Sequence, residues 1–380
     1  MAQTPTPSET PRPEPKAPAQ RRKLLTRQPV MLRVIYALIP VLLAGIYFFG
    51  WRVLAILAVT QWAGFVTEYV MSRRRGAAVS TANFVTCWLL ALSLPPTCPL
   101  WIAAVGAIVA VLFGKEVFGG FGRNFANPAI VGRTFLYVCF PTPMTAWFVP
   151  NFRGFPGGFA HWSFQTLDRL PDSLAASGRT LADAVTQATP MWIQKSNGID
   201  TPLTDMISGS VSRVFEVGGR TEILAAGSIG EVARPFIILA AIYLIVTRTA
   251  NWRLMLSFFL GIIGSALLFR YVFGGTDVAS PWFWIFGGTT LYGGVFMVTD
   301  PVSSPNRNLA RYAYGAIIGF FTALIRWKGV FAAGFSFAVL IGNMVAPLLD
   351  MAAGWWEARG KVAKARSAGS PTGGPSGGPR

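Results

Sequence analysis

Long apolar runs alternate with short polar turns along this chain, a rhythm that predicts helices crossing a membrane. Ten runs are long enough, or nearly so, to cross a hydrocarbon layer of about 30 Å at about 1.5 Å per residue. They lie near 31–50, 53–71, 82–95, 99–114, 129–149, 231–247, 254–273, 281–299, 312–325 and 330–349. Several are short or interrupted. The third ends at Pro95-Pro96, and the eighth runs into Asp300-Pro301-Val302-Ser303-Ser304-Pro305. Broken helices are tolerated at membrane depth only where the freed backbone faces protein or a water-filled cavity. The expected fold is an all-α polytopic membrane protein with about ten transmembrane helices.

The polar stretches divide the chain. Residues 1–30 and 351–380 lack an apolar period and are expected to be disordered basic tails. Residues 150–230 form one long polar connection, whose Trp162, Phe164, Trp192, Ile193 and Phe215 argue that much of it is folded. It separates 31–149 from 231–350, five runs on each side. An odd number of crossings per half inverts the second half against the first. ALSLPPTCP followed by IAAVGAIVAVLFGK in the first half is echoed by VTDPVSSP followed by AYGAIIGFFTALIR in the second. Two inverted five-helix repeats with broken or re-entrant segments are therefore expected, an arrangement that places functional sites near the repeat interface.

Composition agrees with a membrane chain: 52% of the 380 residues are hydrophobic and only 13% charged. The net charge of +17 raises the question of a nucleic-acid partner. Its placement answers that question. Lys and Arg fill the N-terminal tail, the turns at Arg73–Arg75, Lys115–Arg123, Arg248–Arg253 and Arg307–Arg311, and the C-terminal tail. The intervening turns are nearly free of them, with Arg52 and Arg326/Lys328 as exceptions. That is the positive-inside pattern, so both termini are expected in the cytoplasm, the 150–230 loop outside a cell inner (plasma) membrane, and no nucleic acid as partner. Arg21-Arg22-Lys23 faintly resembles an export signal, but the run behind it lacks a small-residue cleavage site and reads as a first span. Three Cys and one His are too few for a bis-histidine haem, a four-cysteine cluster or a structural zinc. No metal site is expected.

Few ionisable groups lie in or beside the spans: Glu68, Glu116, Arg133, Arg270, Asp300 and Asp350. A carboxylate at membrane depth costs at least about 2.5 kcal/mol, so it tends to mark an ion or proton path. Glu116 and Asp300 adjoin Gly- or Pro-rich breaks and are read as path residues. Glu68, near the end of its run, is read as a hydrated interfacial group; Asp350 fits either role. The densest segment, Lys115 to Arg133, holds Gly119, Gly120 and Gly122 with Arg123, Asn124 and Asn127. It lacks the Gly-Lys-Ser/Thr ending of a phosphate-binding loop, and a re-entrant segment lining a small-molecule pocket is expected. Cys87 and Cys139 read as packing residues, while Cys98, at a turn, and His161, in the long loop, read as more open. On composition alone Thr189-Pro190 is an ordinary helix start.

Taken together, KEVFGGFGRNFANPAIVGRTFL, GSIGEV at 227–232, VTDPVSS at 298–304 and NMVAPLLD at 343–350 resemble the NqrB/RnfD family, in order, from about residue 30 to 350. These are large membrane subunits of the sodium-pumping NADH:quinone oxidoreductase and of the Rnf complex. In that family a threonine in a short acidic motif carries FMN through a phosphoester made by a separate flavin transferase. DAVTQAT, with Asp183, Thr186, Ala188 and Thr189, is similar, and it nominates Thr189. Thr186 stands where Ser is usual, and Gln187 where Gly is commoner. By the same resemblance Gly119 and Gly120 would neighbour a quinone pocket in an Nqr-type complex. Glu116, Asp300 and Asp350 would serve cation passage, and a second, non-covalent flavin (riboflavin) is implied without assignable residues. NADH and iron–sulfur sites would belong to partner subunits.

The resulting expectation is a flavin-carrying subunit of an Nqr/Rnf-type redox translocase that couples electron transfer to Na⁺ or H⁺ movement. The rival is a redox-free channel or secondary transporter, which buried carboxylates and inverted repeats suit equally.

Overall fold

The computed structural model describes residues 25–26, 28–145, 155–163, 194, 202–208, 214–217, 220–223, 227–275, 278–329 and 334–368. The apolar runs fold into helices: α1 (Pro29–Phe49), α2 (Arg52–Arg75), α3 (Ala82–Ser93), α4 (Leu100–Val111), α5 (Pro128–Cys139) and the short α6 (Pro141–Thr145). After the long loop, with its short α7 (Leu203–Ser208), come α8 (Arg234–Val246), α9 (Trp252–Leu267), α10 (Pro281–Phe286), α11 (Thr290–Phe296), α12 (Asn308–Lys328) and α13 (Phe335–Ala368). α4 and α9 each continue into a wider π turn, Leu112–Glu116 and Leu268–Val272. Among the described residues five helices are long and apolar enough to cross a membrane: α1, α2, α9 with its π turn, α12 and α13 as far as Lys361. Shorter apolar helices, including α3, α5 and α8, pack among them.

The strands are minor. β1 (Leu25–Thr26) pairs in parallel with β2 (Val79–Ser80), and β3 (Val214–Val217) forms a hairpin with β4 (Arg220–Ile223) in the long loop. Two boundaries need correction. Leu25–Thr26, within the stretch expected to be a disordered tail, is tied down by β2. At the other end α13 runs on through 351–368, where a disordered tail was expected. There the Glu357 carboxylate meets Arg307 at the start of α12, and Arg359 lies over Trp355.

Packing follows one pattern on both sides of the long loop. α2 lies on α3 and α4, and α4 on α5; α9 lies on α10 and α12, and α12 on α13. Small residues permit the close approaches. A Cβ on Gly132 of α5 would fall 2.5 Å from Gly106 O and 2.7 Å from Ala110 Cβ of α4, so this crossing excludes any side chain.

The contacts also define two ends. At one end the α1–α2 turn holds the 161–162 segment, with Trp51 N donating to His161 O (3.1 Å) and Arg52 N to Trp162 O (2.8 Å). At the other, Arg33 of α1 donates to Thr247 O just beyond α8 (3.0 Å). Cys87 is buried, as expected, but Cys98 is buried too and Cys139 is exposed on α5. The turn carrying Cys98 is covered because Arg52 folds across it, donating to Pro96 O and, at 3.0 Å, to Cys98 O.

Candidate functional site

A π turn contains one more residue than an ordinary helical turn and is often found at functional positions. Here it lets two successive residues, Lys115 and Glu116, both face α2 while only 2% exposed. Lys115 Nζ donates to Glu68 Oε2 (2.7 Å) and to Ser80 Oγ (2.6 Å). Glu68 Oε1 in turn accepts from Ser80 N (2.8 Å) and Ser80 Oγ (3.0 Å). Glu116 Oε2 pairs with Arg75 Nη2, and Arg75 Nη1 donates to Glu116 O (3.1 Å). Glu68 is therefore not a hydrated interfacial group. It is 2% exposed and bound on every side. The physical reason is that β1–β2 pairing and the π turn enclose the end of α2, which a reading of α2 alone leaves open to water.

The glycine-rich segment wraps over this cluster. Gly119 and Gly120 have φ of 105° and 96°, which side-chain-bearing residues rarely adopt. A Cβ on Gly120 would lie 3.0 Å from Arg75 Nη2. A cavity adjoins this segment, lined by Phe121, Asn124 and Asn127 together with Lys115, Thr86, Leu89 and, from the second half, Leu244, Phe296, Thr299 and Asp300. Gly119 and Gly120 are not among its lining residues and pack instead against Arg123 and Arg75. Asn127 caps α5, accepting from Ala129 N and Ile130 N (3.0 and 3.3 Å), and its own N–H donates to Asn343 Oδ1 of α13 (3.0 Å). Asn343 Nδ2 donates to Tyr314 Oη (2.6 Å), so the motif at 343 and the motif at 127 join across the interface between the halves.

The three nominated carboxylates do not meet. Glu116 pairs with Arg75. Asp300 closes its own turn, accepting from Val302 N (3.1 Å) and Ser303 Oγ (2.8 Å), and faces the same cavity as Lys115. Asp350 accepts from Asn306 N (2.8 Å) and Arg307 N (2.9 Å), so from α13 it holds the turn that leads into α12. Asp183, Thr186, Ala188 and Thr189 lie outside the described residues.

A second charged centre, which the sequence reading missed, occupies the opposite end. α3 and α10 both stop inside the bundle, and their last carbonyls would be orphaned. Arginines satisfy them. Arg133 donates to Ser93 O, Arg326 to Trp284 O (2.6 Å) and Gly287 O (3.0 Å), and Arg234 to Phe286 O (2.7 Å) and Met206 O. The 227–233 loop threads between them, with Ile229 N on Leu94 O (3.1 Å) and Gly230 N on Leu92 O (2.7 Å). Its Glu231, 4% exposed, is the acidic charge felt by Arg133, Arg234 and Arg326 alike. The available signal was the GSIGEV motif itself: a carboxylate directly after two closely spaced glycines and just ahead of a span.

With this geometry in hand, comparison with known proteins is specific. The profile of the NQR2, RnfD, RnfE family matches residues 16–354. The chain is similar to the NqrB protein of the Na⁺-translocating NADH-quinone reductase of Ectopseudomonas mendocina, 33% identical over 302 residues, which cover 78% of this chain and 66% of that one. The NqrB protein of Azotobacter vinelandii is also 33% identical, and this chain again spans 66% of it. The chain resembles the RnfD protein of the ion-translocating oxidoreductase complex of Pectobacterium atrosepticum at 30% identity over 339 residues, 85% of this chain and 92% of the relative. The matched stretch contains both charged centres and the cavity, and the chain belongs to the NQR2, RnfD, RnfE family.

Proposed function

We propose that this chain is the flavin-carrying membrane subunit of an Nqr/Rnf-type translocase, which passes electrons through FMN and couples them to Na⁺ or H⁺ movement. The observation that carries the reading is the cluster of buried Glu68, Lys115, Ser80 and Glu116, closed by the exposed Arg75, beside a cavity shared by both halves. Charges this deep in an apolar bundle are costly, and typically mark ion or proton paths. Ten crossings in two inverted five-helix sets belong to the same proposal. The repeated packing pattern of α2–α5 and α9–α13 supports it.

FMN would be held by a phosphoester to Thr189, with Asp183, Thr186 and Ala188 forming the motif read by a flavin transferase. FMN so tethered supplies one-electron chemistry, and the protein supplies position and surroundings. Riboflavin would be held without a covalent bond. Partner subunits would bring the electron donor. The acceptor would be quinone in an Nqr-type complex and NAD or ferredoxin in an Rnf-type one.

The test is covalent flavin. Membranes co-expressing the chain and a flavin transferase should give a fluorescent band on a denaturing gel, and Thr189→Ala should abolish it. An unlabelled wild-type chain beside an active transferase would refute the redox reading and favour a redox-free transporter.

A further inference from the structure

Glu68 and Glu116 carry two negative charges, and Lys115 and Arg75 two positive ones, so the cluster is neutral as it stands. Its inner half is a compact seat of oxygens. Lys115 Nζ rests on Glu68 Oε2 at 2.7 Å and Ser80 Oγ at 2.6 Å, and Ser80 Oγ also reaches Glu68 Oε1 at 3.0 Å. A carboxylate and a hydroxyl held this way suit a hard alkali cation as well as they suit an ammonium. A spare acceptor lies alongside. Glu116 Oε1 is buried with no hydrogen-bond partner among the described residues, in a side chain only 1% exposed, and the charges of Glu68 and Lys115 both act on it.

Lys115 differs from an ordinary buried ion-pair partner in one respect. Lys115 also lines the cavity, as does Asp300. A lysine has a flexible stem of four carbons, so the ammonium has somewhere to go. If it left alone, Glu68 would remain buried without its charge partner, a strongly unfavourable state. If a monovalent cation took its place, the net charge of the seat would not change.

We propose that Lys115 is a tethered competitor for the transported cation. Its ammonium fills the Glu68–Ser80 seat in this structure, and Na⁺ enters that seat when the side chain swings into the cavity towards Asp300. Exchange is one for one, so the seat is never left unbalanced, and whatever draws Lys115 into the cavity loads a cation. No bond is made or broken. The inference rests on the cation-transporting part of the function proposed above.

Thermal unfolding of the full chain in its purified complex, in NaCl against choline chloride at equal ionic strength, tests the exchange. Lys115→Gln vacates the seat and leaves Glu68 charged. Its unfolding midpoint should rise with Na⁺ and not with choline, at a half-maximal Na⁺ concentration at least about tenfold below that of any wild-type response. Glu68→Gln combined with Lys115→Gln neutralises the seat and should remove the Na⁺ response. Unfolding of Lys115→Gln at the same midpoint in both salts, however low that midpoint lies, overturns the proposal. So does an Na⁺ response that survives in the double variant. Loss of the Thr189 flavin band with an intact Na⁺ response would remove the redox reading and leave the seat. An intact flavin band with no Na⁺ response would remove the seat alone.

Discussion

Glu231, buried in the 227–233 loop, acts through its charge on three buried guanidiniums, each holding carbonyls at the broken ends of α3 or α10. Removing one partner from a buried charge group typically costs about 3–5 kcal/mol, because the survivors stay buried and uncompensated. Glu231→Gln preserves shape and removes the charge, so it should lower the unfolding midpoint sharply. A thiol-reactive dye would report the change, since Cys87 and Cys98 are buried until the bundle opens. An unchanged midpoint would show that the carbonyls alone compensate the arginines. Residue roles of this kind were partly legible. Glu116 and Asp300 stood out beside breaks in apolar runs; the structure pairs Glu116 with Arg75 and sets Asp300 on the cavity that Lys115 also lines. Glu68 was misread because its partner, Lys115, lies 47 residues further along. No local pattern around residue 68 announces it.

At the scale of elements, close helix approach governs stability. Gly132 lies against Gly106 O and Ala110 Cβ, whereas Gly264 of α9 has open space where a Cβ would go. Gly132→Ala should therefore separate α4 from α5 and destabilise the protein by at least about 1 kcal/mol, the scale of overpacking. Gly264→Ala should be neutral or slightly stabilising, because alanine favours helix over glycine by about 1 kcal/mol. The pair is measured by thermal unfolding in one detergent, and equal effects would contradict the packing seen here. The ends of α3 and of the α10–α11 pair were visible in sequence, at Pro95-Pro96 and Asp300-Pro301, since proline and the residue before it resist helix. The π turns were not visible. Neither was the extension of α13 to Ala368, where Trp355, Glu357 and Arg359 gain partners that a composition reading of the tail does not reveal.

The whole molecule has one end bearing the α1–α2 turn and the 155–163 segment, and another bearing the Glu68–Lys115 cluster and the cavity. On the orientation that the positive-inside pattern predicts, the first end lies outside. An impermeant maleimide should accordingly label Phe155→Cys, at a position 93% exposed, from the outer face of intact cells. Gly360→Cys should label only after permeabilisation; both variants belong in a background lacking the exposed Cys139. The opposite result would invert the topology and put Thr189 out of reach of an exported transferase. By itself the sequence determined the helical membrane class, the positions of the breaks and the expected orientation. All three depend on hydropathy, proline and charge within a few turns of chain. Only the tertiary structure decided which charges meet. Glu68 finds Lys115, Arg75 finds Glu116 and Asn127 finds Asn343 across 47, 41 and 216 residues, and such pairings are set by packing between helices. The net charge of +17 that first suggested an outside partner resolves the same way. Part of it underlies the expected orientation, and part is buried as guanidiniums that hold the ends of broken helices.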